Sequence, residues 1–205
     1  DFLKILGAVG DRETKIKENK KAFQEIKNFI TDKDINFNKL IKAVNLIDSS
    51  YKVNSKKEVQ KLVQIVRKAN KNGIQTILNN NKLKQNLEKI DKKITELSNI
   101  NDNESENIVE KEINTEYNII SSVTREIAWN KNKTAIVINK GFLKNKNQIY
   151  VRSNNTDLRP LISELKEEYS LGGKKDVIGS VIEEKRTDKF ISDVKKYLKQ
   201  SEIQN

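Results

Sequence analysis

The residues best placed to do chemistry fall in one stretch, "YVRSNNTDLRPLISELKEEYSLGGKKDVIG", residues 150 to 179. The chain has 7 glycines in 205 residues, yet Gly172, Gly173 and Gly179 lie within eight positions of one another, beside Lys174 and Lys175. A strand ending in Arg152-Ser153, a helix and a Gly-Gly loop can close around an anion. Glycine lets the backbone approach a ligand and reach positive φ. Successive amides can then form a nest, Arg152 can offer a forked contact, and Ser153 a hydroxyl. The expected ligand is a phosphate. In the other reading the glycines only make a tight α-to-β connection and the lysines are solvated.

The wider composition narrows the chemistry. There is no Cys and no His, which excludes disulfides, thiol nucleophiles, His-ligated metal and a His general base. No cofactor is expected. Lys and Arg number 40 against 29 Asp and Glu, a formal charge of +11. From Lys131 to Thr156 there is no acid, while Lys131, Lys133, Lys140, Lys144, Lys146 and Arg152 all occur. Such a run fits a polyanion, nucleic acid before an anionic membrane surface; solubility and a Lys-, Asn- and Ile-rich composition are the other explanation. Trp129, Phe142 and Tyr150 are the aromatics near this run, read as core residues before stacking platforms. No apolar run reaches membrane-spanning length and no signal-peptide layout is visible, so a cytoplasmic, nucleoid-associated protein is expected. With no Met in the chain, residue 1 is not expected to be a native start.

These residues need elements to hold them. Ala22, Phe23, Ile26, Phe29 and Ile30, and then Leu40, Ile41, Val44 and Ile47, recur at helical spacing. "SKKE" at 55–58 has capping-box form; it opens a face of Val59, Leu62, Val63, Val66 and Ala69 that stops at Asn72-Gly73. Leu83, Leu87, Ile90, Ile94 and Leu97 form a heptad seam. After the polar run at 99–107, Val109, Ile113, Ile120, Val123 and Ile127 resume out of register, which predicts an antiparallel helical hairpin over 82–128. From 131 the pattern changes. Short β-branched runs at 134–140 and 147–153, separated by a turn region containing Gly141, predict a strand pair. A helix runs from Asp157 to Tyr169 with Pro160 in its first turn, 176–184 is a strand, and 187–200 is an amphipathic helix. The expected fold is α+β: a helical region over 1–130, then a small mixed-sheet domain over 131–205.

The segment "YVRSNNTDL…LGGKKDVIGSVI" resembles the DHHA1 domain, the substrate-binding half of the DHH phosphoesterases. Arg152 and Ser153 fall on that family's Arg-Ser at a strand end. Gly172, Gly173 and Gly179 fall on its Gly-Gly-His-x-x-x-x-Gly motif, with Lys174 in the His place. "ILGAVGDRE" resembles the last motif of the DHH domain, where Asp11 falls on a metal-ligating Asp. The helical middle is similar to the connector of the RecJ branch, above all its archaeal members that bind the GINS complex. The resemblance implies a single-stranded-DNA-binding replication factor working with GINS and the MCM helicase. Because the eponymous His motif is absent and Asp11 stands alone as a metal candidate, a non-catalytic protein is expected. The C-terminal part of a RecJ-like exonuclease is the alternative.

Overall fold

The computed structural model describes residues 2–33, 35–100, 107–130 and 132–203. The chain divides into two compact units, Asp1–Asp91 and Lys92–Asn205. The first is helical: α1 (Phe2–Arg12), a 3-10 turn (Glu13–Glu18), α2 (Lys20–Asp32), α3 (Phe37–Lys52), α4 (Lys56–Asn72) and α5 (Gln75–Leu78). Helix α6 (Asn81–Ser98) runs across the division.

Polar side chains start these helices. Asn19 Oδ1 accepts from the Ala22 amide, Asn36 Oδ1 from Lys39, Ser55 Oγ from Glu58 and Asn80 Oδ1 from Leu83. Each satisfies an amide that has no intrahelical partner. The Glu58 carboxylate of the expected capping box takes the Asn86 amide group at 3.3 Å. Gly73 ends α4 at φ +88°, donating its amide to the Ala69 carbonyl. The core gathers Ile5, Leu6 and Val9 of α1 with Ile26, Leu40, Leu46, Ile77 and Leu83. On α4 the inward face is Leu62, Ile65 and Ala69, rotated from the expected stripe, so that Val63 is exposed.

The second unit is built on a five-stranded sheet in the order β1-β2-β3-β5-β4. The strands are β1 (Ile108–Ile113), β2 (Thr134–Leu143), β3 (Lys146–Arg152), β4 (Leu171–Lys174) and β5 (Val177–Glu183). Helices α7 (Ile120–Asn130), α8 (Arg159–Leu165) and α9 (Glu184–Ile203) accompany them. Strand β1 is parallel to β2, with α7 as the crossover between them; the other pairs are antiparallel.

The expected helical hairpin over 82–128 is therefore corrected. Val109 and Ile113 are spaced by four, which fits period two as well as a helix turn, and β-branched Ile108, Val109 and Ile113 favour the pleated state. Strand β1 and α7 belong with the sheet, so the units meet at 91/92 where the sequence pointed to 130/131. Most of the polar run at 99–107 lies outside the described residues. The turn between β2 and β3 falls at Lys144-Asn145, where Asn145 takes φ +60°, and not at Gly141. Gly141 sits in an irregular part of β2, and a Cβ there would lie 2.1 Å from Asn114 Oδ1 and 2.6 Å from the Thr115 amide. Buried Asn139 ties that crossing together: its Oδ1 accepts from the Thr115 and Gly141 amides, and its Nδ2 donates to the Thr115 carbonyl. The helix expected from Asp157 to Tyr169 is limited to α8, with Pro160 as its second residue.

Strand alternation gives the sheet two faces. Ile136, Ile138, Ile149, Val151, Ile178 and Ile182 pack with Leu161 and Leu165 of α8 and Phe190, Val194 and Leu198 of α9. The opposite face is covered by α7 over β2 and part of β3, and is open over β3, β5 and β4.

Candidate nucleic-acid interface

The open face carries the residues that bear on function. Along β3, Gln148, Tyr150 and Arg152 share it, opposite Val181, Gly179 and Val177 of β5. Gly172 and Lys174 of β4 continue it, pairing with Gly179 and Val177. All of these but Arg152 line a shallow trough of about 600 Å³.

The glycines have three different roles. At Gly179 a Cβ would come within 3.0 Å of Tyr150 Cε2 and Cζ, so the missing side chain lets the Tyr150 ring lie across β5. At Gly172 a Cβ would meet nothing within 4 Å; this position keeps the trough floor low. Gly173 faces the other way, where a Cβ would lie 2.0 Å from the Val177 carbonyl oxygen and 3.0 Å from Ile162 Cδ1. It permits close approach of β4, β5 and α8.

The expected Gly-Gly loop is thus a strand. Gly172 and Gly173 belong to β4, and among the described glycines only Gly73 has positive φ, so the amides form a sheet ladder and not a nest. The reversal is at Lys175-Asp176. Its carbonyls are taken by the Leu158 amide at 2.8 Å and the Ser153 amide at 3.1 Å, which anchor the turn to the start of α8 and the end of β3.

Ser153 is not available to a ligand. It is buried, its Oγ lies 2.9 Å from Thr134 Oγ1, and it accepts from the amides of Asn155 and Thr156. Arg152 is also buried, with Nη1 3.0 Å from Asp176 Oδ2. Its guanidinium lies 5.2 Å from the centre of the Trp129 ring, and that of Arg125 lies 5.1 Å from the same ring. Burial pushes the Arg152 pKa down, and Arg125 adds to this against the opposing pull of Asp176. Arg152 therefore supports Trp129 from below. Asp176 takes one N–H donor of Arg152, whose buried Nε has no hydrogen-bond partner among the described residues.

The acid-free run does not form one basic face. Lys140 pairs with Glu112 at 2.7 Å. Lys144 and Lys146 are exposed near the start of β3, whereas Lys174 and Lys175 are exposed beside its end, about 20 Å away along a seven-residue strand. Lys133 precedes β2, and Lys131 lies outside the described residues.

Of the residues singled out in the sequence, the structure brings Gly172, Gly173, Lys174 and Gly179 to the trough, places Arg152 beside Val177 at the end of β3 and Lys175 at the adjoining turn, and leaves Ser153 out of it. Two aromatics move the other way. Trp129 is 40% exposed, and Tyr150 is half-buried and lines the trough, so neither is a core residue. Gln148 went unnoticed in the sequence; the signal was its place two residues before Tyr150 in an alternating run.

Asp11 lies near the C-terminal end of α1, in the helical unit, and is exposed. Among the described residues no group of three or more Asp, Glu, His or Cys side chains could hold a metal ion. The described residues do not fit a two-metal centre. Among them, too, no helix is long and apolar enough to cross a membrane.

No family model matches the chain, and no curated protein matches it. Solved structures do. RecJ from Thermus thermophilus, determined in complex with Mn2+, superposes with a TM-score of 0.56 at 13% identity over 77% of this chain and 24% of its own. The same protein in complex with Mg2+ gives 0.55 at 12% identity, over 77% of this chain and 25% of its own. A pGpG-specific phosphodiesterase, PggH from Vibrio, gives 0.44 at 15% identity over 70% and 51%, a likeness too slight to build on. The helical region followed by a small mixed sheet is thus an arrangement found within RecJ. The chain spans about a quarter of the RecJ chains it matches.

Proposed function

We propose that this chain is a non-catalytic protein of RecJ-like fold that binds single-stranded DNA across the open face of β3, β5 and β4. The observation that carries the reading is Tyr150, whose ring lies over Gly179 in the trough, together with the exposed Trp129, whose ring lies 5.2 Å from the guanidinium of Arg152, two residues further along β3. Base–aromatic stacking contributes about 1–3 kcal/mol per base and tolerates any sequence. Lys174 lines the trough, Lys175 stands at its end, and the net charge of +11 favours a polyanion.

Within this reading the protein is a replication factor that associates with GINS and the MCM helicase. That part rests on the sequence resemblance to archaeal RecJ-like proteins. It is tested by co-purification of the full chain with GINS at low salt. Retention is expected, and its absence overturns the partnership. Incubation with a labelled oligonucleotide and Mn2+ or Mg2+ should leave the oligonucleotide intact; digestion abolished by Asp11→Ala would contradict the non-catalytic role.

In a second reading the same module is the binding part of a RecJ-like single-strand exonuclease, RecJ being a chain of which this one matches about a quarter. Both readings use the same trough. They part when the module is joined to a DHH half, where only the second expects cleavage.

A further inference from the structure

We infer that the outward face of α4, in the helical unit, is a second nucleic-acid contact, one that holds the phosphate backbone of duplex DNA. The inference does not depend on the trough. Helix α4 carries Lys56, Lys57, Lys61, Arg67, Lys68 and Lys71 against a single acid, Glu58, where the whole chain has 40 cations against 29 acids. No acid occurs from Val59 to Leu87. All six cations are exposed. Leu62, Ile65 and Ala69 face the core, and at about 100° per residue the cations fall within about 140° on the opposite side, over about 22 Å of helix axis. On α9 the cations are answered in place: Lys185 pairs with Glu183, Arg186 and Lys189 with Glu168, and Lys195 with Glu110. On α4 only Lys61 has a carboxylate in reach, that of Glu58 at 3.7 Å, which also takes the Asn86 amide group. Lys56, Lys57, Arg67, Lys68 and Lys71 have no ion-pair partner among the described residues. Lys57 with Lys61, and Arg67 with Lys71, stand four apart, a like-charge spacing that destabilises a helix. A bound polyanion removes that repulsion.

What the face lacks decides which polyanion it takes. Helix α4 has no aromatic residue, so an unstacked base finds no platform there. The apolar side of α4 is consumed in the core, which leaves nothing to sink into a bilayer. Exposed Gln60 and Gln64 stand between the cations, and side-chain amides donate to phosphate oxygens as readily as lysines do. A duplex carries one negative charge per about 1.7 Å of axis, twice the density of either of its strands. A straight row of cations on a rigid helix therefore meets more phosphates on a duplex than on a flexible single strand. Contacts of this kind position a duplex without reading its sequence.

The test uses the full chain and a labelled blunt duplex of about twenty base pairs, followed by fluorescence anisotropy at low salt. The wild-type protein should bind two duplexes of unrelated sequence alike. The combined variant Lys57→Gln, Lys61→Gln, Lys68→Gln and Lys71→Gln should weaken duplex binding at least about tenfold and make the slope of log K against log salt shallower by about 2 to 4, at roughly 0.9 per phosphate. Glutamine keeps the helix propensity and relieves the like-charge spacing, so this variant should melt at or above the wild type. A charge-matched variant in which Lys20, Lys21, Lys196 and Lys199, exposed on α2 and α9, become Gln should lose less than about threefold, through the general field alone. Binding of oligo-dT should fall no further in the α4 variant than in the charge-matched one. No duplex binding by the wild type, an equal duplex loss in the two variants, or an oligo-dT loss in the α4 variant as large as its duplex loss overturns the inference. Retention of the wild type but not of the α4 variant on phosphatidylserine vesicles, with no duplex bound, gives the face to a membrane and overturns it as well. Failure to bind oligo-dT alone strikes the trough and leaves the α4 contact standing.

Discussion

Tyr150 and Gly179 are cross-strand partners, and the tyrosine ring occupies the space that a side chain at 179 would fill, 3.0 Å from the position of its Cβ. The glycine thus presents the ring. Gly179→Ala should push Tyr150 off β5, cost about 1–3 kcal/mol through crowding, and weaken oligonucleotide binding about as much as Tyr150→Ala does. Chemical denaturation and anisotropy on the two variants check both parts. Unaltered binding in Gly179→Ala would mean that the ring is not a platform.

Adjacent glycines should respond in opposite ways. Gly172 has open space where a Cβ would stand, whereas at Gly173 it would lie 2.0 Å from a backbone carbonyl oxygen that cannot swing aside. Gly172→Ala should leave stability within about 0.5 kcal/mol. Gly173→Ala should lose about 1–3 kcal/mol or more as the β4–β5 hairpin opens. Equal urea midpoints for the two would contradict the pairing of Gly173 with Ile178 across that hairpin.

Arg152 should behave as a support and not as a phosphate contact. Arg152→Ala removes a buried stem and the guanidinium facing Trp129, and leaves Asp176 without its partner. A loss of about 1–3 kcal/mol in stability is expected, while the dependence of DNA affinity on salt stays the same. A shallower salt dependence with unchanged stability would place the guanidinium on the DNA backbone.

One acid-limb effect is specific. Arg159 donates from its Nε, Nη2 and amide to Asp157 and holds that carboxyl down at about 2, against an ordinary value of 3.8. A depressed carboxylate contributes stability that is fully present above the unfolded value and is lost as pH falls from about 4 through about 2. Asp157→Asn should therefore melt below the wild type at pH 7 and converge with it near pH 2. A constant gap at all pH values would show that the ion pair is not its source.

Much of this architecture is legible in the sequence where a local rule and the tertiary fold agree. The cap at Ser55, the Gly73 stop, the β2–β3 pair, and the inward stripe Phe190, Ile191, Val194 and Leu198 all obey short-range chemistry. The misread segment is β1, because Val109 and Ile113 satisfy two periodicities and only pairing with β2 decides between them. The site was legible by composition but not by geometry. Gly173 and Gly179 mark a close approach in either case, whereas Gly172 borders open space. Whether that approach serves a phosphate or a tyrosine ring depends on which strand lies opposite, and no local pattern specifies this. Asp176 likewise lies 24 residues from the Arg152 it neutralises, beyond the range of any spacing rule.

The chain contains a single tryptophan, exposed and 5.2 Å from the guanidinium of Arg152 at the end of β3. Its emission therefore reports on the central claim without a label. Titrating the full chain with oligo-dT at low salt should quench Trp129 fluorescence to saturation. Raising the salt should reverse the quenching with a slope of roughly −2 to −3.5 in log K against log salt, as expected for about three to five phosphates on a single strand. Emission that stays unchanged while a labelled oligo-dT is seen to bind, or an affinity that does not respond to salt, would contradict a single strand lying across this face.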